Sequence, residues 1–285
     1  IQYRCGDFRW YYDADGIVAR RNRRVLDHVV GAEPFALLVG RQGGAATSGT
    51  WDSVWATATS SDQNLFRRGG ATVFPLVLRA APDSAGPPRW NFSGEFLEYV
   101  AARAGENDRA ALPERAAGYI YGLINAPRFR AEFQVELRRD FPRISVAGAA
   151  SFRALSDVGW QLLRLHVLAE VVPSVIFAPV GENVVESIAF GDADAAGYGS
   201  VVINAAGQRF ERVHRHAWER TCGGSPVLER FLRSRKGRRL DEDDIRAFAV
   251  LATALDRERP LLDEADEIVA ALLDERSRGD GMEMQ

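Results

Sequence analysis

The spacing of apolar and polar positions changes partway along the chain. Before residue 80 the runs are short and rich in aromatic or β-branched residues: 8–12, 35–39, the alternating stretch 51–59, and 72–78, where Pro75 marks an edge or a bend. One helix is predicted among these strands, over about 21–30, with Val25, Leu26, Val29 and Val30 on one face. Residues 80–89, with Pro82, Gly86, Pro87 and Pro88, read as a linker. Beyond it the spacing is helical. Ser93 is placed to N-cap a helix running to about 104, and Pro113 to open another that Pro127 ends, with Tyr119, Ile120, Leu123 and Ile124 as its core stripe. Two more helices are predicted over 128–140 and 152–170.

Strand character returns over about 183–212 and closes in a hairpin, with 201–204 and 209–212 flanking Ala205-Ala206-Gly207. Ser225-Pro226 reads as an N-cap and first position of a short basic helix. Asp241 and Asp244 read as the capping arrangement of a long C-terminal helix to about 273, kinked or split at Pro260. The fold class expected is α+β. A strand-rich subdomain at 1–79 is followed by a linker at 80–90. A mainly helical subdomain at 91–275 carries the β insertion, and 276–285 form a disordered tail.

Composition narrows the setting. Of 285 residues, 46% are hydrophobic and 26% charged, the balance of a globular chain with a buried core. No apolar run is long enough for a membrane helix, and no secretory leader opens the chain, so a cytoplasmic protein without a membrane partner is expected. Two cysteines, Cys5 and Cys222, make neither a disulfide scaffold nor a closed zinc site by themselves. The direct start at Ile1, just before a strand-like run, suggests a piece of a longer polypeptide. The net charge of −3 is unevenly spread. Residues 240–285 hold 14 of the 39 acidic side chains against 5 arginines, which leaves residues 1–239 with a basic surplus.

Catalytic signatures are missing. The single lysine, Lys236, lies between Arg235 and Gly237, so no Gly-Lys-Ser/Thr phosphate loop exists. No glycine-rich turn links a strand to a helix, and there is neither a Gly-x-Ser-x-Gly elbow nor a His-Glu-x-x-His pair. The Asn/Asp-Pro-Pro-aromatic tetrapeptide that holds the amino group in adenine methylation is absent too, because Pro87-Pro88 follows Gly86 in the linker. His214, His216 and Cys222 form the nearest approach to a metal cluster, but a polar turn accounts for them better, and no metal site is assigned.

The basic clusters are the candidate chemistry. Arg20, Arg21, Arg23 and Arg24 enter the first helix, Arg41-Gln42 opens a glycine-rich loop, and Arg67-Arg68 precedes two more glycines. Arg230, Arg233, Arg235, Lys236, Arg238 and Arg239 crowd the short helix and its exit. Such patches attract phosphate backbones, and Arg or Gln can read base edges through paired hydrogen bonds. The plain alternative is an arginine-rich surface in a chain that almost lacks lysine.

Three stretches, in order, resemble the C-terminal region of type ISP restriction–modification enzymes. The first is Tyr3-Arg4-Cys5-Gly6-Asp7-Phe8-Arg9-Trp10-Tyr11-Tyr12, with Cys5-Gly6 where the family has Pro-Phe. The second is Tyr119-Ile120-Tyr121-Gly122-Leu123-Ile124-Asn125-Ala126-Pro127-Arg128-Phe129-Arg130, followed by Asp140-Phe141-Pro142-Arg143-Ile144. The third joins the helix from Val227 to Arg235-Lys236-Gly237-Arg238 and Asp244-Ile245. The resemblance implies a target-recognition domain whose partners are double-stranded DNA and a methyltransferase domain of the same polypeptide or complex. That other domain would flip an adenine and methylate it at N6. It further implies S-adenosylmethionine, and ATP with Mg, as cofactors of the parent enzyme, with none bound by this chain. Arg9, Arg128, Arg130 and Arg143 then join Arg20, Arg21, Arg23, Arg24, Arg41, Gln42, Arg67, Arg68, Arg233, Arg235, Lys236, Arg238 and Arg239 as expected DNA contacts. A competing reading is a helical scaffold that docks the methylase and motor with little DNA contact, which the acidic C-terminal helix favours.

Overall fold

The computed structural model describes residues 1–12, 23–29, 35–40, 50–66, 70–80, 86–191 and 193–277. Antiparallel β1 (Gln2–Arg4) and β2 (Asp7–Phe8) open the chain, followed by α1 (Arg23–Val29). A three-stranded antiparallel sheet comes next: β3 (Ala36–Val39), β4 (Val54–Thr57) and β5 (Thr72–Pro75), in the order β4-β3-β5. Then β6 (Val77–Leu78) pairs with β7 (Arg89–Trp90).

The helices follow as α2 (Gly94–Ala104), α3 (Leu112–Asn125), α4 (Pro127–Glu132), α5 (Gln134–Leu137) and α6 (Ala149–His166). Ser93 caps α2 as expected, its hydroxyl accepting the Phe96 amide at 3.2 Å. The helix expected over 128–140 breaks at Phe133 into α4 and α5, where φ −100° and ψ 22° leave the helical range.

A second sheet contains β8 (Ile176–Ala178), β9 (Ala189–Gly191), β10 (Tyr198–Val202) and β11 (Arg209–His214), in the order β8-β11-β10-β9. The hairpin expected at 201–212 is β10–β11, with Val202 opposite Arg209. The chain ends with α7 (Arg215–Glu219), the pair β12 (Thr221–Cys222) and β13 (Ser225–Pro226), α8 (Val227–Arg233) and α9 (Glu242–Ser277). The architecture is α+β.

Three local expectations change. Residues 9–12 lie outside β2: the pairing with the first strand ends at Arg9, whose amide and carbonyl exchange hydrogen bonds with Ile1, both at 2.9 Å. Ser225-Pro226 is β13 and not the first turn of α8: Ser225 and Pro226 face Cys222 and Thr221, and the helix begins at Val227. Of the two outcomes expected at Pro260, a split does not occur: α9 runs through it unbroken, with the proline ring on the exposed side. The expected tail at 276–285 falls outside the described residues beyond Ser277.

Two hydrophobic cores share the β3–β5 sheet. Leu37, Val39, Val54 and Ala56 face a core with α2, α3, α6 and the C-terminal half of α9, through Leu262, Ala265, Val269 and Leu272. Leu38 and Trp55 face the other core, with Val201, Phe210, Val213, Leu228 and Phe231, and with Phe248, Leu251 and Leu255 of α9. This explains why 35–39 is apolar without alternation, since a strand buried on both faces needs no polar side. In the first core α3 and α6 touch backbone to backbone: a Cβ on Gly159 would stand 1.9 Å from the Gly118 carbonyl.

A buried polar seam lies between the cores. The His166 Nδ1 is 2.5 Å from the Tyr121 hydroxyl and its Nε2 2.6 Å from Glu258, while Trp55 stacks on the ring at 4.2 Å. Arg220 donates from Nε to the other Glu258 oxygen at 2.7 Å. Burial outweighs the help of Glu258 and holds the imidazole pKa below its ordinary value, so the ring is neutral; Nε2–H donates to the carboxylate and Nδ1 accepts from Tyr121. Burial alone would raise the Glu258 carboxyl, but the Arg220 guanidinium and the His166 hydrogen bond hold it well below the carboxylate range.

Candidate nucleic-acid interface

One edge of the β3–β5 sheet gathers the roots of the basic loops. Val39 pairs with Val54 on one side and Thr72 on the other, so the 41–49 connection and the segment entering β5 leave from the same end of the sheet. Gly40 marks the convergence. Its amide donates to Ser53 at 2.7 Å, and a Cβ there would stand 2.5 Å from the Ser53 Cβ and 3.0 Å from the Gly70 carbonyl. Only glycine allows three chain segments to meet this closely. Arg41, Gln42, Arg67 and Arg68 lie outside the described residues, but their anchors Gly40, Phe66 and Gly70 are fixed at this edge.

The turn that leads into α8 packs against the same edge. A Cβ on Gly223 would come 2.6 Å from the Phe66 carbonyl. Asp52, beside β4, holds the turn: one carboxylate oxygen accepts the Thr221 hydroxyl at 2.5 Å and the other the Gly224 amide at 2.8 Å. Arg4 donates to the Tyr3 and Asn64 carbonyls at 2.7 and 3.3 Å, lies 3.9 Å from Asp62, and stacks over Tyr3. Arg230 of α8 is near enough for the Arg4 charge to act on it. Partial burial, then Arg4, lower its pKa, and among the described residues no carboxylate pairs with it. Arg230 belongs to the basic cluster read from the sequence, whereas Arg4 does not, and nothing in the sequence spacing brings residue 4 to residue 230.

The remaining predicted residues divide three ways. Arg20 and Arg21 lie outside the described residues, Arg23 is helical in α1, and Arg24 is exposed there. Arg233, Lys236, Arg238 and Arg239 are exposed around the exit of α8, with Arg233 bound to Glu229 and Arg238 to Asp244. Arg9 is half-buried, joined to Asp7 at 3.0 Å and the Ser234 hydroxyl at 2.9 Å. Arg143 is exposed, and Arg128 is exposed beside Asp266.

Two predicted arginines face inward, which corrects their assignment. Arg130 is buried, donating to the Ile124 carbonyl and the Asn125 side chain at 2.8 and 2.6 Å, and desolvation followed by the Arg220 charge pulls its pKa down to about 10. Arg235 is 3% exposed, grips both Asp7 oxygens at 2.9 and 3.2 Å and Asp244 at 2.6 Å, and lies 3.5 Å over Phe231. It ties β2, α8 and α9 together and presents no donor outward. His214, His216 and Cys222 do not converge either: His214 Nδ1 accepts the His216 amide at 3.0 Å, and Cys222 turns to Cys5.

Residues 1–268 match the family described as Type ISP C-terminal specificity domain. The chain belongs to that family. Solved structures similar to this specificity domain include the ATP-dependent Type ISP restriction-modification enzyme LlaBIII bound to DNA (17% identity, TM-score 0.69), a DrdV–DNA complex (17%, 0.69), and a nuclease-deletion mutant of LlaGI with a DNA substrate mimic (14%, 0.63). Each covers 93% of the specificity domain, which spans only 18%, 28% and 24% of the respective chains. At these identities the likeness establishes the fold. No curated protein matches the chain.

Proposed function

We propose that this specificity domain binds duplex DNA along the edge where Gly40, Phe66, Gly70 and Gly223 meet, and so selects the site at which a methylase carried elsewhere on the polypeptide flips and methylates adenine. The observation that carries the reading is the convergence of both basic loop roots with Arg4 and Arg230, two guanidiniums close enough to interact, of which Arg230 has no acidic partner among the described residues. Arg233 at the end of α8 and Lys236 just beyond it are exposed and add positive charge to this part of the chain. On this reading Arg4, Arg230 and the α8 cations hold phosphates, while Arg41, Gln42, Arg67 and Arg68 approach base edges. The DNA-bound state of the similar enzymes supports it.

The sequence has no glycine-rich turn to seat S-adenosylmethionine or ATP with Mg, so no chemical step is assigned to this chain. Both cofactors belong, on this reading, to other segments of the parent enzyme. No helix is long and apolar enough to cross a membrane among the described residues, and a cytoplasmic location accords with a DNA partner.

The scaffold reading keeps one specific support. Asp263, Glu264, Glu267, Asp274 and Glu275 line the exposed side of α9 and repel a phosphate backbone. They suit contact with the methylase or motor on a different face.

Fluorescence anisotropy against a random-sequence duplex pool, across a salt series and with the bound fraction sequenced, tests the reading. The expected result is steep salt dependence with enrichment of a short motif. Arg230→Ala should lower the log–log salt slope by about one unit. Arg41→Ala or Arg67→Ala should weaken binding to the enriched duplex by about tenfold, and Arg109→Ala, bridged to Glu98 away from this edge, should change neither. Weak binding without enrichment, indifferent to these substitutions, would move the assignment to the scaffold.

A further inference from the structure

Cys5 lies in the turn between β1 and β2 and Cys222 on β12, 217 residues apart, yet their sulfurs are 2.6 Å from each other. Both are free thiols buried in the second core, 6% and 2% exposed. The proposed DNA face uses neither of them.

The segments that carry them are already held in place. Two residues beyond Cys5, Asp7 is gripped by Arg235, and three residues before it the Gln2 amide donates to Ser60 at 2.7 Å. On either side of Cys222, Thr221 and Gly224 are bound by Asp52. The two sulfurs are thus held side by side by contacts on both segments, and separation of the partners, the usual obstacle to joining distant cysteines, does not arise.

We propose that Cys5 and Cys222 form a reversible intramolecular disulfide, fastening the N-terminal strand pair to the β12–β13 turn when the chain meets a hydroperoxide. The peroxide transfers one oxygen to one thiol, giving a sulfenic acid and, from hydrogen peroxide, one water. The second thiol then attacks that sulfur, forming the S–S bond and releasing a second water. Two electrons pass from the sulfurs to the peroxide, and a dithiol reductant restores both thiols by exchange. The bond closes a loop over most of the chain, restricting the unfolded ensemble, and one of its cysteines directly follows Arg4 in the chain.

The test uses the chain without DNA, so its outcome is separate from that of the binding experiment. Wild-type protein is treated with hydrogen peroxide, alkylated with N-ethylmaleimide in denaturant, and measured by intact mass and a non-reducing peptide map. The expected product has lost two hydrogens, takes up no maleimide, and yields one peptide pair joining Cys5 to Cys222. Its Tm should lie about 5–10 °C above that of the reduced chain and return on reduction. Two maleimide adducts, a sulfinic acid at either cysteine, or a covalent dimer in place of that product would overturn the proposal. Cys5→Ser and Cys222→Ser should each abolish the oxidative Tm rise, and a rise persisting in either would also overturn it. The wild-type peptide map decides the matter even for a serine variant that fails to fold.

Discussion

Glu258 has no exposed surface, yet it is charged and accepts from both His166 and Arg220. Removing it leaves a guanidinium buried without its counter-charge, so Glu258→Ala should cost about 3–5 kcal/mol in a urea melt. Acid should weaken the same seam in two stages. His166 has a lowered folded pKa, so below about 6.5 the unfolded chain takes up a proton that the folded ring refuses, and stability falls as pH falls. Glu258 has a depressed folded pKa, so its contribution is complete above about 4.5 and is lost as pH drops further. Urea midpoints between pH 8 and pH 4 check this; His166→Gln should flatten the part between pH 7 and 5, and an unchanged slope there would refute the assignment. None of this was legible in the sequence. His166, Glu258 and Arg220 lie far apart along the chain, as do Arg235 and Asp7, and a charge pattern reveals local neighbours only. For the same reason Arg130 and Arg235 read as surface cations although both are interior.

At the scale of elements, local signals were the readable ones. Ser93 as a cap, Pro113 near the start of α3, and the Gly207 turn between β10 and β11 each act within a few residues, and each appears where expected. The misread elements were decided at longer range. Ser225-Pro226 has the makings of a helix start, but Thr221 and Cys222 supply ladder partners and Asp52 fixes the turn between them. Strand β8 was missed because it has three residues, close to Pro173 and Pro179, and exists by pairing with β11. The contact of α3 with α6 was equally hidden, since glycine inside a helix reads as a weak point until a second backbone lies against it. Gly159→Ala forces its methyl against the Gly118 carbonyl and should destabilise the chain by about 3 kcal/mol or more, measured by the shift in urea midpoint at unchanged m-value. An effect below about 1 kcal/mol would show that the helices part easily.

For the molecule as a whole, two features bind the halves of the chain. The β3–β5 sheet buries one face in each core, and α9 contributes Phe248, Leu251 and Leu255 to one core and Leu262, Val269 and Leu272 to the other. The sequence shows a change of spacing near residue 80, but not that each core draws on both sides of it, because both faces of one strand look alike in an unbroken apolar run. Unfolding should therefore proceed in one transition. Leu251→Ala and Val269→Ala, one in each core, should each lower its midpoint without splitting it, whether followed by fluorescence or by far-ultraviolet dichroism. Separate transitions for the two probes would show that the cores melt independently. The sheet gripped from both sides has one more consequence. Gly40 and Gly70 are fixed by interior packing, so the segments beyond them can differ in sequence from one protein to another while their points of attachment stay where they are. If the proposed reading holds, a lineage acquires a new target by exchanging residues between these anchors, with the cores that hold Gly40 and Gly70 left to fold as before, much as a tool takes a new bit in the same chuck.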